Sequence, residues 1–435
     1  MSFIDDLVSE REQAWIETRR DIHRNPELGF TEMRTAAVVA QRLTALGFDL
    51  RIGPQAMRQE SMLGVPTQAA LDARADELRG DNLAAPWLAR MPDGQTGVVA
   101  ELRRGDGPVS AYRFDMDALP LAEANEAGHK PVEQGYVSAR DGVHHACGHD
   151  GHTAIGLGFG EWLAAPESNW SGTVRLVFQP AEEGGRGALP MADAGVVDDA
   201  DWFFAAHLGV GLPSRQIAAA TDGMLNSTKL DASFSGVPAH AGANPEAGHN
   251  AVLAGATAVI NLHAISRVAG GATRVNVGRI SGGTARNIIA DDCALELEVR
   301  GETPASAAFM EARARTVLNA AALMHDVQCE ITVVGQTVSP QHDQAAKDAV
   351  MAVAARTPGV DEVHPHVRVT GGEDAPFLMR RVQARGGNAC YFIIGSDLTD
   401  FHHTSHFDFD EASIATGVRV FAGLAEYVSS ASAKQ

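Results

Sequence analysis

Only four cysteines, Cys147, Cys293, Cys329 and Cys390, are scattered over 435 residues. With no repeating spacing they form no disulfide framework, and a reducing, cytoplasmic setting is the simplest expectation. No run of about 18 apolar residues is present, so no helix is expected to span a bilayer. The opening Met1-Ser2-Phe3-Ile4-Asp5-Asp6 lacks a basic region followed by an apolar stretch, and no signal peptide is expected. Positive charge is scarce as well: 35 Lys and Arg stand against 55 Asp and Glu, a net charge of −20. Such a surface repels nucleic acid and anionic membranes, so neither is an expected partner, and an acidic substrate would need a local basic pocket. Internal repeats, low-complexity tracts, an HExxH helix and a Gly-rich phosphate loop are all missing.

What is there is ordinary globular material. Apolar residues make up 45% and charged residues 21%, enough for a large core, and the length exceeds what one core usually organises, so two domains are expected. Thr31-Glu32 reads as a helix start, with Ala36, Val39, Leu43 and Leu46 at helical spacing until Gly47. Val98–Leu102, Val109–Phe114, Thr173–Phe178 and Trp202–Ala206 read as buried strands, separated in several places by helical patterns, one of them beginning near His152. This alternation predicts an α/β layer fold with a mixed, largely parallel sheet and helices on both faces. A charged excursion over residues 54–92 has no assigned place in the sheet, and excursions near a site often shape specificity. From about Thr228 the texture changes. Lys229–Ser235, Thr273–Ile280 and Cys293–Arg300 alternate like half-exposed antiparallel strands, with helices expected from Asn250 and Pro304. The expected organisation is a catalytic domain in two parts, 1–227 and 339–435, with an inserted α+β domain at 228–338.

The densest chemical cluster is His144-His145-Ala146-Cys147-Gly148-His149-Asp150-Gly151-His152. A thiolate and imidazoles this close can converge on one divalent ion, because only a tight turn is needed and Gly148 and Gly151 permit it. Asp115-Met116-Asp117 follows a strand directly, where α/β folds place their sites. Another strand runs into Gln179-Pro180-Ala181-Glu182-Glu183-Gly184. Two adjacent glutamates point in different directions, so one can ligate a metal while the other holds a proton. His207 ends a further strand, and His402-His403 lie in a loop near the C-terminus. Taken singly, each of these histidines or carboxylates is as well explained by a turn, a cap or a core contact. Together Cys147, His149, Glu183, His207 and His403 supply five ligand-type side chains, which suits two divalent ions sharing a bridging ligand. Thiolate and imidazole suit zinc, and carboxylates tolerate manganese.

These motifs resemble the metallopeptidase family that includes carboxypeptidase G, aminoacylase and the plant auxin-conjugate hydrolases. The likeness is carried by Asp115–Pro120 (DMDALP), His145–Thr153 (HACGHDGHT), Phe178–Gly184 (FQPAEEG), His207, and His403 followed by Phe407, Asp410 and Glu411. In the inserted region it is carried by Ala239-His240-Ala241-Gly242 and Ala285-Arg286-Asn287-Ile288-Ile289. Residues 54–92, Gly236–Ala251 and His402–Glu411 look most like the branch that hydrolyses aminobenzoyl-glutamate. The resemblance implies an amidohydrolase that releases an amino acid, glutamate or aspartate above all, from its N-acyl conjugate. It implies two divalent ions, Mn2+ or Zn2+, held by Cys147 (bridging), His149, Glu183, His207 and His403, with Glu182 as general base. Asp115 stands where many relatives carry a ligand histidine. Asp117 is expected to orient a ligand rather than bind the ion. His240 is implied as the oxyanion donor, reaching the site from a partner chain, in a homodimer built through the inserted domain or a heterodimer with a homologous chain. Arg286 and Asn287 are the expected substrate contacts, Arg286 reading a carboxylate bidentately.

Two other classes compete. A thiol hydrolase with Cys147 as nucleophile would leave Glu182, Glu183 and His207 without a purpose. A metal-binding but inactive member of a hetero-oligomer would have no need of the Glu182 carboxylate.

Overall fold

The computed structural model describes residues 2–432. Its strands are β1 (Asp49–Ile52), β2 (Val98–Arg104), β3 (Val109–Asp115), β4 (Gly172–Gln179), β5 (Trp202–Leu208), β6 (Gln216–Ala218), β7 (Thr221–Asp222), β8 (Asn226–Ser235), β9 (Thr273–Gly282), β10 (Asp292–Gly301), β11 (Gln328–Thr337), β12 (Glu362–His364), β13 (Val367–Arg368) and β14 (Asn388–Ile394). The helices are α1 (Phe3–Arg24), α2 (Met33–Ala45), α3 (Gln68–Leu78), α4 (Lys130–Glu133), α5 (His149–Ala164), α6 (Ala188–Asp193), α7 (Ala251–His263), α8 (Pro304–Met324), α9 (Gln344–Ala354), α10 (Pro376–Gln383) and α11 (Ala412–Ser432).

The chain forms two compact units. The first comprises Met1–Asp222, Pro340–Val369 and Asp374–Gln435, and the second comprises Gly223–Ser339 with Thr370–Glu373. The first is built on an eight-stranded sheet ordered β1-β2-β4-β3-β5-β14-β6-β12. Its centre, β4-β3-β5-β14, is parallel, and antiparallel pairings join β1, β2 and β6 to it. The expected mixed, largely parallel sheet is present. Central strands of this kind are buried on both faces and read as continuous apolar runs. Tyr112, Phe114, Leu176, Phe178, Phe204, Phe392 and Ile394 turn one way into a core shared with α1, α2, α5, α9 and α11. The alternate residues, including Tyr391 and Phe203, face the side on which α6 and α10 pack. Helix α5 lies unusually close to the sheet, since a Cβ at Gly156 would stand 2.7 Å from the Phe114 ring.

The excursion at residues 54–92 is less external than its composition suggests. It consists of short 3-10 turns and α3, whose Leu71, Arg74 and Leu78 are buried. Arg74 donates to Glu27 at 2.6 Å, and Glu27 also accepts the Arg34 and Thr35 amides. In the second unit the sheet β11-β8-β10-β9 is antiparallel throughout. Helices α7 and α8 cover it, enclosing Leu230, Phe234, Leu295, Val299, Met310 and Leu318. Among the described residues no helix is long and apolar enough to cross a membrane.

One buried cation ties the first unit together. Arg19 of α1, fully buried, reaches Asp150 at 2.7 Å and Asp408 at 2.6 Å, both carboxylates equally buried. Removing one partner of such a pair leaves an uncompensated buried charge and costs about 3–5 kcal/mol. We therefore expect Arg19→Leu to lower the urea midpoint strongly with little change in slope. All five tryptophans lie in this unit, so their fluorescence reports its unfolding. An unchanged midpoint would mean that the network adds nothing to stability.

Candidate metal centre

The carboxyl ends of β3, β4 and β5 converge at one edge of the sheet, the place where open α/β folds put their sites. Asp115 is the last residue of β3, Gln179 the last of β4, and His207 the penultimate residue of β5. Gly148, at φ +85°, makes the turn that carries the chain from Cys147 into α5. The helix begins at His149, not near His152, so His149 and His152 share the first turn of α5. Gly151 is consequently a helical residue rather than a turn. Its lack of a side chain lets Phe409 and Leu208 approach, where a Cβ would meet them at 2.5 and 2.7 Å.

The five expected ligands come together. Donor atoms of Cys147, His149 and His207 lie within 4.8 Å of one another, and so do those of Cys147, Glu183 and His403, and of His149, Glu182 and Glu183. Cys147 belongs to two of these groups, as a bridging ligand would. Cys147 Sγ is 3.4 Å from His207 Nε2, and His403 Nε2 is 3.2 Å from Glu183 Oε1. His149 Nε2 and Glu183 Oε1 are buried atoms without a hydrogen-bond partner. Buried polar atoms are normally satisfied, and lone pairs from thiol, imidazole and carboxylate turned on one space fit a divalent ion. Burial, with the neighbouring His152 and His402 imidazoles, pushes His207 well down, which keeps it in the neutral form that ligates. Burial and the Glu183 carboxylate push the Cys147 thiol up. A divalent cation reverses that preference, because its charge favours the thiolate. Burial alone would depress His149, but Asp115 and Cys147 outweigh it and raise the imidazole well above its usual range.

The carboxylates behind the cluster divide the work of holding it. Asp117, buried, accepts the Glu182 amide on Oδ1 at 3.0 Å and the Glu183 amide on Oδ2 at 2.9 Å, and its Oδ1 is 3.3 Å from His149 Nδ1. It thus orients three members of the site. Asp115 is bonded to Arg113 at 2.6 Å and to His152 Nδ1, and its Oδ2 is 3.6 Å from His149 Nε2. His152 Nε2 in turn accepts the Leu208 amide at 2.9 Å, beside His207. Two site residues hold left-handed backbone, Ala181 at φ +50° and His403 at φ +64°. Such strain persists where the surroundings over-determine it. The Ala181 amide donates to the buried Glu32 carboxyl at 2.8 Å and the His403 amide to Ala146 O at 2.8 Å. Burial and the Asp117 charge push Glu32 up to about 8.

Sequence reasoning does not single out Glu32, Arg186 or the pocket beside His402. Arg186 donates to Glu183 O at 3.0 Å and to Gly64 O at 2.9 Å, tying the 54–92 excursion to the glutamate loop. A cavity of about 610 Å³, lined by Leu212, Leu398, Phe401 and His402 among others, opens beside the cluster, and the His402 ring packs edge-on against His207 at 5.3 Å.

His240, Arg286 and Asn287 form a separate group in the second unit, all three exposed. The Ala241 amide donates to Asn287 O at 3.0 Å and the Ile289 amide to Ala239 O at 2.9 Å, so the two loops are held side by side. His240 Nδ1 accepts the Gly242 and Ala243 amides, each at 3.1 Å. A neutral ring so held carries its proton on Nε2.

Residues 111–427 match Peptidase family M20/M25/M40. The chain is 41% identical over 424 residues to an indole-3-acetyl-aspartic acid hydrolase from Enterobacter agglomerans, covering 97% of each. It is 42% identical over 406 residues to one of the named subunits of p-aminobenzoyl-glutamate hydrolase from Escherichia coli (strain K12), covering 93% of each. An aminobenzoyl-glutamate utilization protein from Klebsiella pneumoniae superposes with a TM-score of 0.85 at 36% identity, covering 98% of each chain. The chain therefore belongs to peptidase family M20/M25/M40 and is a metal-dependent amidohydrolase.

Proposed function

We propose that this amidohydrolase cleaves the amide bond of N-acyl amino acids whose amino acid is acidic, with p-aminobenzoyl-glutamate or a close analogue as substrate and indole-3-acetyl-aspartate as the second candidate. The observation that carries the reading is the placement of Glu182 against the ligand cluster. Its Oε2 is 3.9 Å from His149 Nε2, while Glu183 beside it turns to His403. Two divalent ions, Mn2+ or Zn2+, held by Cys147, His149, Glu183, His207 and His403 supply Lewis acidity that acidifies water and polarises the scissile carbonyl. Glu182 then takes the proton of the attacking water and delivers it to the leaving amine. His240, with its proton on Nε2, is the donor for the developing oxyanion. Arg286, which makes no ion pair among the described residues, reads a substrate carboxylate, with Asn287 beside it. The aromatic acyl group fits the apolar cavity at Leu398 and Phe401.

Assembly through the inserted domain, with itself or with a homologous chain, is supported by β9 standing at a sheet edge next to exposed Leu253, Ile260 and Ile280. The Escherichia coli relative is named as one of several subunits of its hydrolase, which favours an unlike partner. The four free cysteines suit a reducing compartment, the cytoplasm.

Three outcomes test this reading. Glu182→Gln keeps the shape but not the base, so the metals stay and turnover falls by about 10²–10⁴-fold; near-normal kcat with metals bound would remove Glu182 from that role. Asp117→Asn lets go of one of the two amides or His149, and metal affinity or activity drops about 10–100-fold, read by titration with Zn2+ or Mn2+. Unchanged affinity and rate would show that Asp117 orients nothing. Arg286→Ala lowers kcat/KM for acyl-glutamate at least about tenfold while sparing acyl-leucine, since a lost charge-assisted pair costs about 2–5 kcal/mol. Equal losses on both substrates would mean that Arg286 reads the shared α-carboxylate or merely holds its loop.

A further inference from the structure

A second group of imidazoles lies in the first unit, and none of its members belongs to the cluster built on Cys147. His23 of α1, His129 at the start of α4 and His144 ahead of the cysteine loop all turn Nε2 toward one oxygen of Glu123. The separations from Glu123 Oε1 are 3.0 Å for His23, 2.9 Å for His129 and 3.5 Å for His144. Every one of these four side chains is 2% exposed or less. Donor atoms of His23, Glu123 and His144 all lie within 4.8 Å of one another.

Hydrogen bonding alone explains this arrangement poorly. One carboxylate oxygen offers about two lone pairs, and three ring nitrogens crowd it. His144 gains nothing from the crowding: neither of its ring nitrogens has a hydrogen-bond partner, although the side chain is fully buried. A buried imidazole with both nitrogens unpaired calls for an explanation, such as an ion. A tetrahedral zinc site with Zn–N and Zn–O near 2.0–2.2 Å separates its ligand atoms by about 3.3 Å. The three nitrogen–oxygen distances fall within a few tenths of an ångström of that edge. The surroundings complete the pattern. His23 Nδ1 is 2.8 Å from Asp150 Oδ2, the carboxylate that would fix this ring with Nε2 facing the ion. The other oxygen of Glu123 accepts the Ser138 amide at 2.6 Å, which leaves Oε1 for the ion.

We propose that His23, His129, His144 and Glu123 form a structural site for one further divalent ion of the zinc type. Three imidazoles and a carboxylate favour zinc among the divalent ions. Four protein ligands leave no open position, so the site is closed and serves to hold α1, the loop after β3 and the loop before Cys147 together.

The test counts metal bound to the full-length protein after dialysis against Co2+ or Zn2+, comparing wild type with His144→Met and His129→Gln. The expected result is one equivalent less in each variant, together with loss of the visible Co2+ d–d absorption of a four-coordinate site from the wild-type spectrum. The quantity read is a difference, so it does not depend on how many ions the Cys147 cluster holds. Zinc-edge anomalous diffraction from wild-type crystals should place a peak among the four side chains. Equal uptake in wild type and both variants, or no anomalous peak there, would overturn the proposal. His129→Gln and circular dichroism of both variants guard against mistaking a folding defect for a lost ligand.

Discussion

The site depends on the carboxylate of Asp117. It leaves the end of β3 and binds, with its two oxygens, the successive amides of Glu182 and Glu183, while the first of those oxygens also faces His149. One buried negative charge therefore sets the register between three segments distant in sequence: the strand end, the loop after β4 and the first turn of α5. Because adjacent residues diverge, a loop fixed at both amides sends Glu182 and Glu183 in different directions. That divergence is what lets neighbouring carboxylates take different tasks.

Such an arrangement needs charges where the fold would otherwise bury only apolar groups, and each charge is matched. Arg113 on β3 reaches Asp115, Gln179 and Asp374. Asp374 in turn accepts the Gly187 and Ala188 amides at the start of α6, each at 2.9 Å, so the chain just past the glutamates is held as firmly as the glutamates themselves. Behind α5, Arg19 does the same for Asp150 and Asp408. Breaking any of these pairs would leave a charge in low dielectric, which is why the rigidity of the site and the stability of the unit rest on the same groups.

Much of this is legible in the sequence because the informative signals are local. β3, β4 and β5 read as strands because their apolar runs are continuous, and each extends only one to two residues beyond the run. The Cys147–His152 motif is legible because its spacing is short. The start of α5 is misread because Gly148 and Gly151 look alike in sequence, yet one supplies a left-handed turn and the other a close approach to Phe409. β11, β6 and β12 go unrecognised: the latter two are short, and β11 alternates without turn signals that set it apart. Long-range pairings are not legible at all. Nothing in the texture around His23 announces that it meets Glu123, 100 positions away, and Glu32 gives no sign that it will hold Ala181 across 149.

That last contact shows how the unreadable part constrains the readable part. Glu182 and Glu183 follow an alanine held at positive φ, a conformation that L-residues avoid at a cost of about 1–3 kcal/mol. Relaxing Ala181 would turn both carboxylates away from the cluster. Glu32 prevents it by accepting the Ala181 amide, and Thr96 donates to its other oxygen at 2.7 Å. With Asp117 close by, burial favours the neutral acid, pushed up to about 8, so at neutral pH Glu32 can hold Ala181 without adding a second buried negative charge beside Asp117. The general base and its neighbouring ligand are thus aimed from below by a carboxyl that takes no part in the chemistry.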